Sequence, residues 1–94
     1  MAYIFSVQWT IVFHAAFEAE FDLFSEDVQD GIFAVAGFLR ERGPHLGRPT
    51  VDTLNGSEFA NMKELRLQAD GGVWRVAFAF DSRRRAVLLC KLNS

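Results

Sequence analysis

Cysteine, tyrosine, proline and histidine are scarce in this 94-residue chain: one Cys, one Tyr, two Pro and two His. A lone Cys90 cannot form an internal disulfide, which points to a reducing compartment. His14 and His45, with no second ligand or nucleophile near them in sequence, give no zinc spacing, so no metal is expected. An excess of one charge is lacking too. The net charge of −2 excludes a chain whose whole surface wraps a polyanion, so any nucleic-acid site must be local. Long hydrophobic runs are missing as well. MAYIFSVQWTIVF at the start is too short to span a bilayer, and it has neither a basic leader nor a small-residue cleavage site. The expectation is a soluble, cytoplasmic protein with no membrane partner.

What the chain has is apolar mass. Half of the residues are hydrophobic and ten are phenylalanine, enough for one modest core in a domain that buries roughly 60–65 % of its unfolded surface. Residues 1–94 therefore read as a single domain. Charge is unevenly placed. Glu18, Glu20, Asp22, Glu26, Asp27 and Asp30 crowd the first third, while Lys63, Arg66, Arg75, Arg83, Arg84, Arg85 and Lys91 follow later.

Tyr3 to Phe13 is dense in β-branched and aromatic residues and reads as a strand. Phe13, Phe17, Phe21 and Phe24 recur at helical spacing. Ser25 is a helix cap, with Glu26 and Asp27 favouring the positive end of the helix dipole. Val28, Ile32, Val35, Ala36 and Leu39 form the apolar stripe of a second helix, which Gly43-Pro44 stops. Gly31 and Gly37 inside that helix suggest close packing, since each costs about 1 kcal/mol of helix propensity. Gly43 to Asn61 reads as one long loop, a length often tied to function.

The remainder is sheet: strands at Met62–Gln68, Val73–Asp81 and Ala86–Leu92. Asp70-Gly71 is a strong two-residue hairpin signal. It sets Leu67 opposite Trp74 and Leu65 opposite Val76, and therefore Arg66 opposite Arg75. Like charges across a ladder cost on the order of 0.2–1 kcal/mol. Two readings of the arginine pair stand open. In one, Glu64, on the same face and diagonal to Arg75, neutralises it in a surface ion network worth little. In the other, two guanidinium forks hold a phosphate. Ala77 and Ala79 leave room on that face. Lys63 points with Leu65 and Leu67 by strict alternation, and Arg83-Arg84-Arg85 is either a solvated turn or a contact to a phosphate backbone. Cys90, in an apolar strand, is expected in the core. The fold class is α+β, β-α-α-β-β-β: an N-terminal strand, a helical hairpin and a three-stranded antiparallel sheet.

The phrases GPHLGRPTVDTL (43–54), NMKELR (61–66) and GGVWRVAFAFD (71–81) resemble the HigB-like, phage-related branch of the RelE/ParE toxin superfamily, over about Phe13 to Leu89. The resemblance implies a toxin of a type II toxin-antitoxin pair, with a helix-turn-helix antitoxin as partner. It also implies a ribosome-dependent messenger-RNA endonuclease that uses no cofactor. In that chemistry a ribose 2′-hydroxyl attacks the neighbouring phosphate, and basic residues on the sheet serve the reaction. The arginine ending KELR maps onto Arg66 and that of the WRV phrase onto Arg75, the two expected catalytic residues. Lys63, Arg85 and Lys91 are the expected RNA-binding residues. Relatives usually continue after AVLL with a glycine-rich turn, a lysine, an aromatic phrase and a further helix. This sequence reads CKLNS there, so the C-terminal helix is expected to be absent. The family's assisting lysine and tyrosine then have no counterpart unless Lys91 serves. An alternative follows: a catalytically weak or inactive toxin-like module that binds an antitoxin or itself as a homo-oligomer.

Overall fold

The computed structural model describes residues 8–56 and 61–93. Strand β1 (Thr10–Phe13) leads into helix α1 (Ala15–Asp22) and helix α2 (Glu26–Arg42), followed by β2 (Val51–Thr53), β3 (Lys63–Ala69), β4 (Gly72–Phe80) and β5 (Arg85–Leu92). The part of the expected first strand before Gln8 lies outside the described residues.

Each helix starts where the sequence supplies an acceptor. His14 Nδ1 accepts the Ala16 amide at 3.1 Å to open α1. Ser25 Oγ accepts the Val28 amide at 3.3 Å to open α2, which satisfies one of the amides a helix start leaves unpaired. The Ser25 hydroxyl also donates to Asp70 Oδ2 at 2.5 Å, and the Asp70 amide donates to Asp27 Oδ2 at 2.6 Å. The start of α2 is thereby tied to the hairpin tip. Asp70 and Gly71 have φ of 50° and 72°, the two positive angles a type I′ turn requires.

Of the four phenylalanines at helical spacing only Phe17 and Phe21 lie on α1, whereas Phe13 ends β1 and Phe24 follows α1, both packed against the core. Phe17 and Phe21 are buried, and Val28, Ile32 and Leu39 of α2 meet Leu65, Val76, Phe78, Ala86 and Leu88 of the sheet. A fully buried side chain of this kind contributes about 1.5–3 kcal/mol relative to leaving it in water. Of the two helix glycines, only Gly31 is there for close packing: a Cβ would stand 2.7 Å from Leu67 Cδ1. Gly37 has nothing within 4 Å of that position, so the packing expectation fails for it.

The sheet has five strands in the order β1-β5-β4-β3-β2, which corrects the expected three-stranded sheet. β1 pairs parallel to β5, and the other neighbours are antiparallel. The added strand β2 sits inside the stretch expected to be loop. It extends the hairpin through its ladder to β3, flanked by the Arg66 amide on the Thr50 carbonyl at 2.7 Å and the Leu54 amide on the Met62 carbonyl at 3.0 Å. A short 3-10 turn, Gly43–His45, also falls in this stretch. Both helices pack against the Leu65, Val76, Phe78 and Leu88 side, leaving the Arg66, Arg75 and Ala79 side without a helix.

Candidate functional site

The β3–β4 ladder has the register that the turn and the alternation dictate: Leu65 opposite Val76, Arg66 opposite Arg75, Leu67 opposite Trp74. A one-residue slip would move Trp74 off the core side, so burial on one face enforces the like-charge pair on the other. The pair is held by one carboxylate. Arg66 Nε lies 3.1 Å and Arg75 Nε 2.5 Å from the same oxygen, Glu64 Oε2. Glu64 is 4 % exposed, whereas the side chains of Arg66 and Arg75 are 41 % and 28 % exposed.

Glu64 thus reduces the repulsion without consuming the forks. It takes only the Nε edge of each guanidinium. Among the described residues, Arg66 makes no other side-chain hydrogen bond, and Arg75 Nη1 reaches the Asn93 carbonyl only at 3.4 Å. Two arginines against one carboxylate leave a net positive charge on the helix-free face, because the neighbouring Asp52, opposite Glu64 and within reach of the Arg66 charge, is itself paired with Arg48. Such an arrangement suits a phosphate, which accepts several charge-assisted hydrogen bonds at once.

The hydrogen bond from Arg75 holds the Glu64 carboxyl below its ordinary value of 4.5, with Arg66 adding to it and burial opposing it. A carboxylate depressed in the native state contributes stability that is complete above its unfolded value and lost as pH falls through its native one. Glu64→Gln should therefore flatten the loss of stability on the acid side of pH 4.5. The urea midpoint measured as a function of pH reads this out. Asp52 and Asp81 are also lowered, so part of the slope persists in the variant.

The other expected site residues are dispersed. Arg85 is on the helix-free face at the far end of the ladder, where its Nε bonds Asp81 Oδ2 at 2.6 Å. Asp81 also accepts the amides of Arg83 and Arg85, at 2.8 and 3.0 Å, so it organises the Arg83–Arg85 turn. The six residue steps from Arg75 along β4 to Asp81, just past its end, amount to about 20 Å. Lys63, opposite Phe78, and Lys91, opposite Val76, project to the helix side. Lys91 Nζ sits over the Trp74 ring, 4.4 Å from its centroid. The structure therefore brings Arg66 and Arg75 together and sets Lys63, Arg85 and Lys91 apart from them.

Cys90 is exposed, not in the core as expected. A register shift between Ala77 and Phe78 places it opposite Ala77 on the helix-free face. Partial desolvation and the Glu20 carboxylate push its thiol up, against a nucleophilic role. No group of three or more His, Cys, Asp or Glu side chains able to hold a metal occurs among the described residues, and no helix among them is long and apolar enough to cross a membrane. What the sequence reading missed is the degree to which Glu64 is buried and shared. The diagonal Glu64–Arg75 relation carried a signal for it, but burial did not.

Residues 19–93 match the family described as phage derived protein Gp49-like (DUF891). Two curated relatives, both carrying toxin names, are from Mycobacterium tuberculosis (strain ATCC 25618 / H37Rv). HigB2 is 48 % identical over 63 residues, which cover 66 % of this chain and 31 % of that protein. HigB3 is 43 % identical over 72 residues, covering 77 % of this chain and 61 % of that protein. The chain thus spans less than two thirds of the length of either relative. No solved structure matches it. The matched segment takes in the second half of α1, all of α2, the β3–β4 hairpin and the Glu64-bridged arginines, and the chain belongs to the phage-derived Gp49-like family, in its HigB-like branch.

Proposed function

We propose that this chain is the toxin of a type II toxin-antitoxin system and acts as a ribosome-dependent messenger-RNA endonuclease, with Arg66 and Arg75 gripping the scissile phosphate. The observation that carries the reading is the pair of partly exposed arginines fixed by one buried carboxylate on a helix-free sheet face. The toxin names of the two relatives support the biological role.

In this reaction the 2′-oxygen forms a bond to the adjacent phosphorus and loses its proton. The bond from phosphorus to the 5′-oxygen breaks, and that oxygen gains a proton. The products are a cyclic phosphate and a free 5′-hydroxyl. Arg66 and Arg75 supply donors to the phosphate oxygens, whose negative charge grows in the transition state. Neither a metal nor a cofactor is required by this route. Arg85, at the far end of the same face, extends the basic track along which RNA would lie. Lys63 and Lys91 contribute from the helix side through the wider field rather than at the phosphate.

The partner in this reading is a helix-turn-helix antitoxin with acidic or apolar segments that cover the basic face. A second reading, a binding module that engages an antitoxin or its own copy, is favoured by Leu23, Phe33 and Phe38, which are 88 %, 58 % and 49 % exposed on the helix side. Induced expression followed by primer extension on a translated reporter separates the two. The nuclease gives growth arrest and discrete stops that vanish when the reporter lacks a ribosome-binding site. Full-length transcript with normal growth rejects the nuclease and leaves the binding module.

A further inference from the structure

Beside Arg66 the helix-free face is not flat. A cavity of about 340 Å³ opens there, lined by Pro49, Thr50, Arg66, Leu67, Gln68 and Val73. Its size is at the low end of small-ligand sites, roughly 300–1,000 Å³. Gln68 stands directly opposite Val73 in the β3–β4 ladder, two residues along β3 from Arg66 and on the same face. The opposite wall is Pro49-Thr50, held against β3 by the Arg66 amide on the Thr50 carbonyl at 2.7 Å.

We infer that this cavity is a nucleobase subsite, which receives the base of the nucleotide whose phosphate sits between Arg66 and Arg75. The inference rests on the phosphate-gripping reading above and adds where the flanking base goes. Two apolar groups, the Pro49 ring and the exposed Val73 side chain, line the cavity and offer a planar ring apolar contact. The Gln68 amide offers both a donor and an acceptor to a base edge. Arg66 belongs at once to the cavity lining and to the Glu64-bridged pair, so a ligand filling the cavity carries its phosphate onto the arginine forks. Single-stranded RNA is recognised in this manner, by splayed bases stacked on side chains and hydrogen-bonded at their edges. A free anion would use the arginines alone and leave the cavity empty. A ribonucleotide uses both.

The test titrates inorganic phosphate and a ribonucleoside 3′-monophosphate into the full chain, following the Arg66 and Arg75 Nε–H and the Gln68 side-chain amide signals by NMR. The nucleotide should bind about tenfold more tightly than phosphate, the order of one base stacked on a protein surface. It should shift the Gln68 amide, whereas phosphate should not. In Gln68→Ala and Val73→Ala, both at exposed positions, the preference should fall below about threefold with phosphate affinity unchanged. Equal affinities for the two ligands overturn the base subsite while the phosphate grip stands. Binding of neither ligand overturns both. Retention of the full preference in both variants also overturns the subsite.

Discussion

Arg66→Ala and Arg75→Ala should each abolish growth arrest and lower the rate of RNA cleavage by about 10²–10³-fold, the usual loss when one preorganised donor to a developing oxyanion is removed. Each variant should still fold, because the surviving arginine keeps its bond to Glu64 Oε2. The readout is paired: primer extension on the reporter for activity, far-ultraviolet circular dichroism for fold. Arg66→Lys and Arg75→Lys discriminate further. Lysine restores charge but cannot bond Glu64 along one edge and a phosphate along another, so neither should recover much activity. Full toxicity of both alanine variants would remove the two residues from the reaction.

The largest loss of stability is expected at Gly43. This residue ends α2 with φ 54° and ψ −133°, backbone that side-chain-bearing residues rarely adopt, and its amide closes the helix on the Leu39 carbonyl. The Trp9 indole lies against its Cα on the side where a Cβ would stand. Trp9 has little freedom to retreat. Its ring meets Phe80 edge-on at 4.9 Å, carries the Arg84 guanidinium at 4.7 Å, and its amide donates to the Arg40 carbonyl at 2.9 Å. Backbone strain of about 1–3 kcal/mol adds to overpacking of similar size. Gly43→Ala should therefore cost about 2–6 kcal/mol, which lowers the melting temperature by about 10–30 °C in a domain of this length. Gly37→Ala is the control of opposite sign. It lies mid-helix with open space at the Cβ position, so it should gain about 0.5–1 kcal/mol of helix propensity. Thermal melts of the two variants against the parent check both directions.

The β3–β4 hairpin was fully legible because two independent signals agreed on it: the glycine turn at Asp70-Gly71 and the alternation of Leu65, Leu67, Trp74 and Val76. The helices were legible for the same reason, with Ser25 marking a start and Gly43-Pro44 a stop. β2 was hidden because three residues carry no period, and Val51–Thr53 becomes a strand only through its partner β3. The placement of Cys90 failed because AVLLCKL is apolar on both faces, so its alternation fixes no register. A bulge opposite Ala77 and Phe78 then decides which residues turn outward. Within the candidate site, pattern sufficed to pair Arg66 with Arg75, since that needs only register. Whether the pair is quenched or presented depends on which guanidinium nitrogens Glu64 engages, and that is a property of three-dimensional approach. Lys91 illustrates the same limit: a cation that sequence order places near the site is turned by the pleat onto Trp74.

The strand order carries a temporal consequence. β5, the last of the described strands in chain order, lies between β4 and β1, and within the described sheet β1 has no neighbour but β5. Thr10–Phe13 must therefore wait for Arg85–Leu92 to leave the ribosome before its ladder can form. The join between the two spans nearly the whole sequence, a separation that slows folding because distant segments must meet before either gains from the contact. Until Arg85–Leu92 is in place, the facing edges of β4 and β1 stay unpaired, and the strand that leads into both helices has no sheet to join.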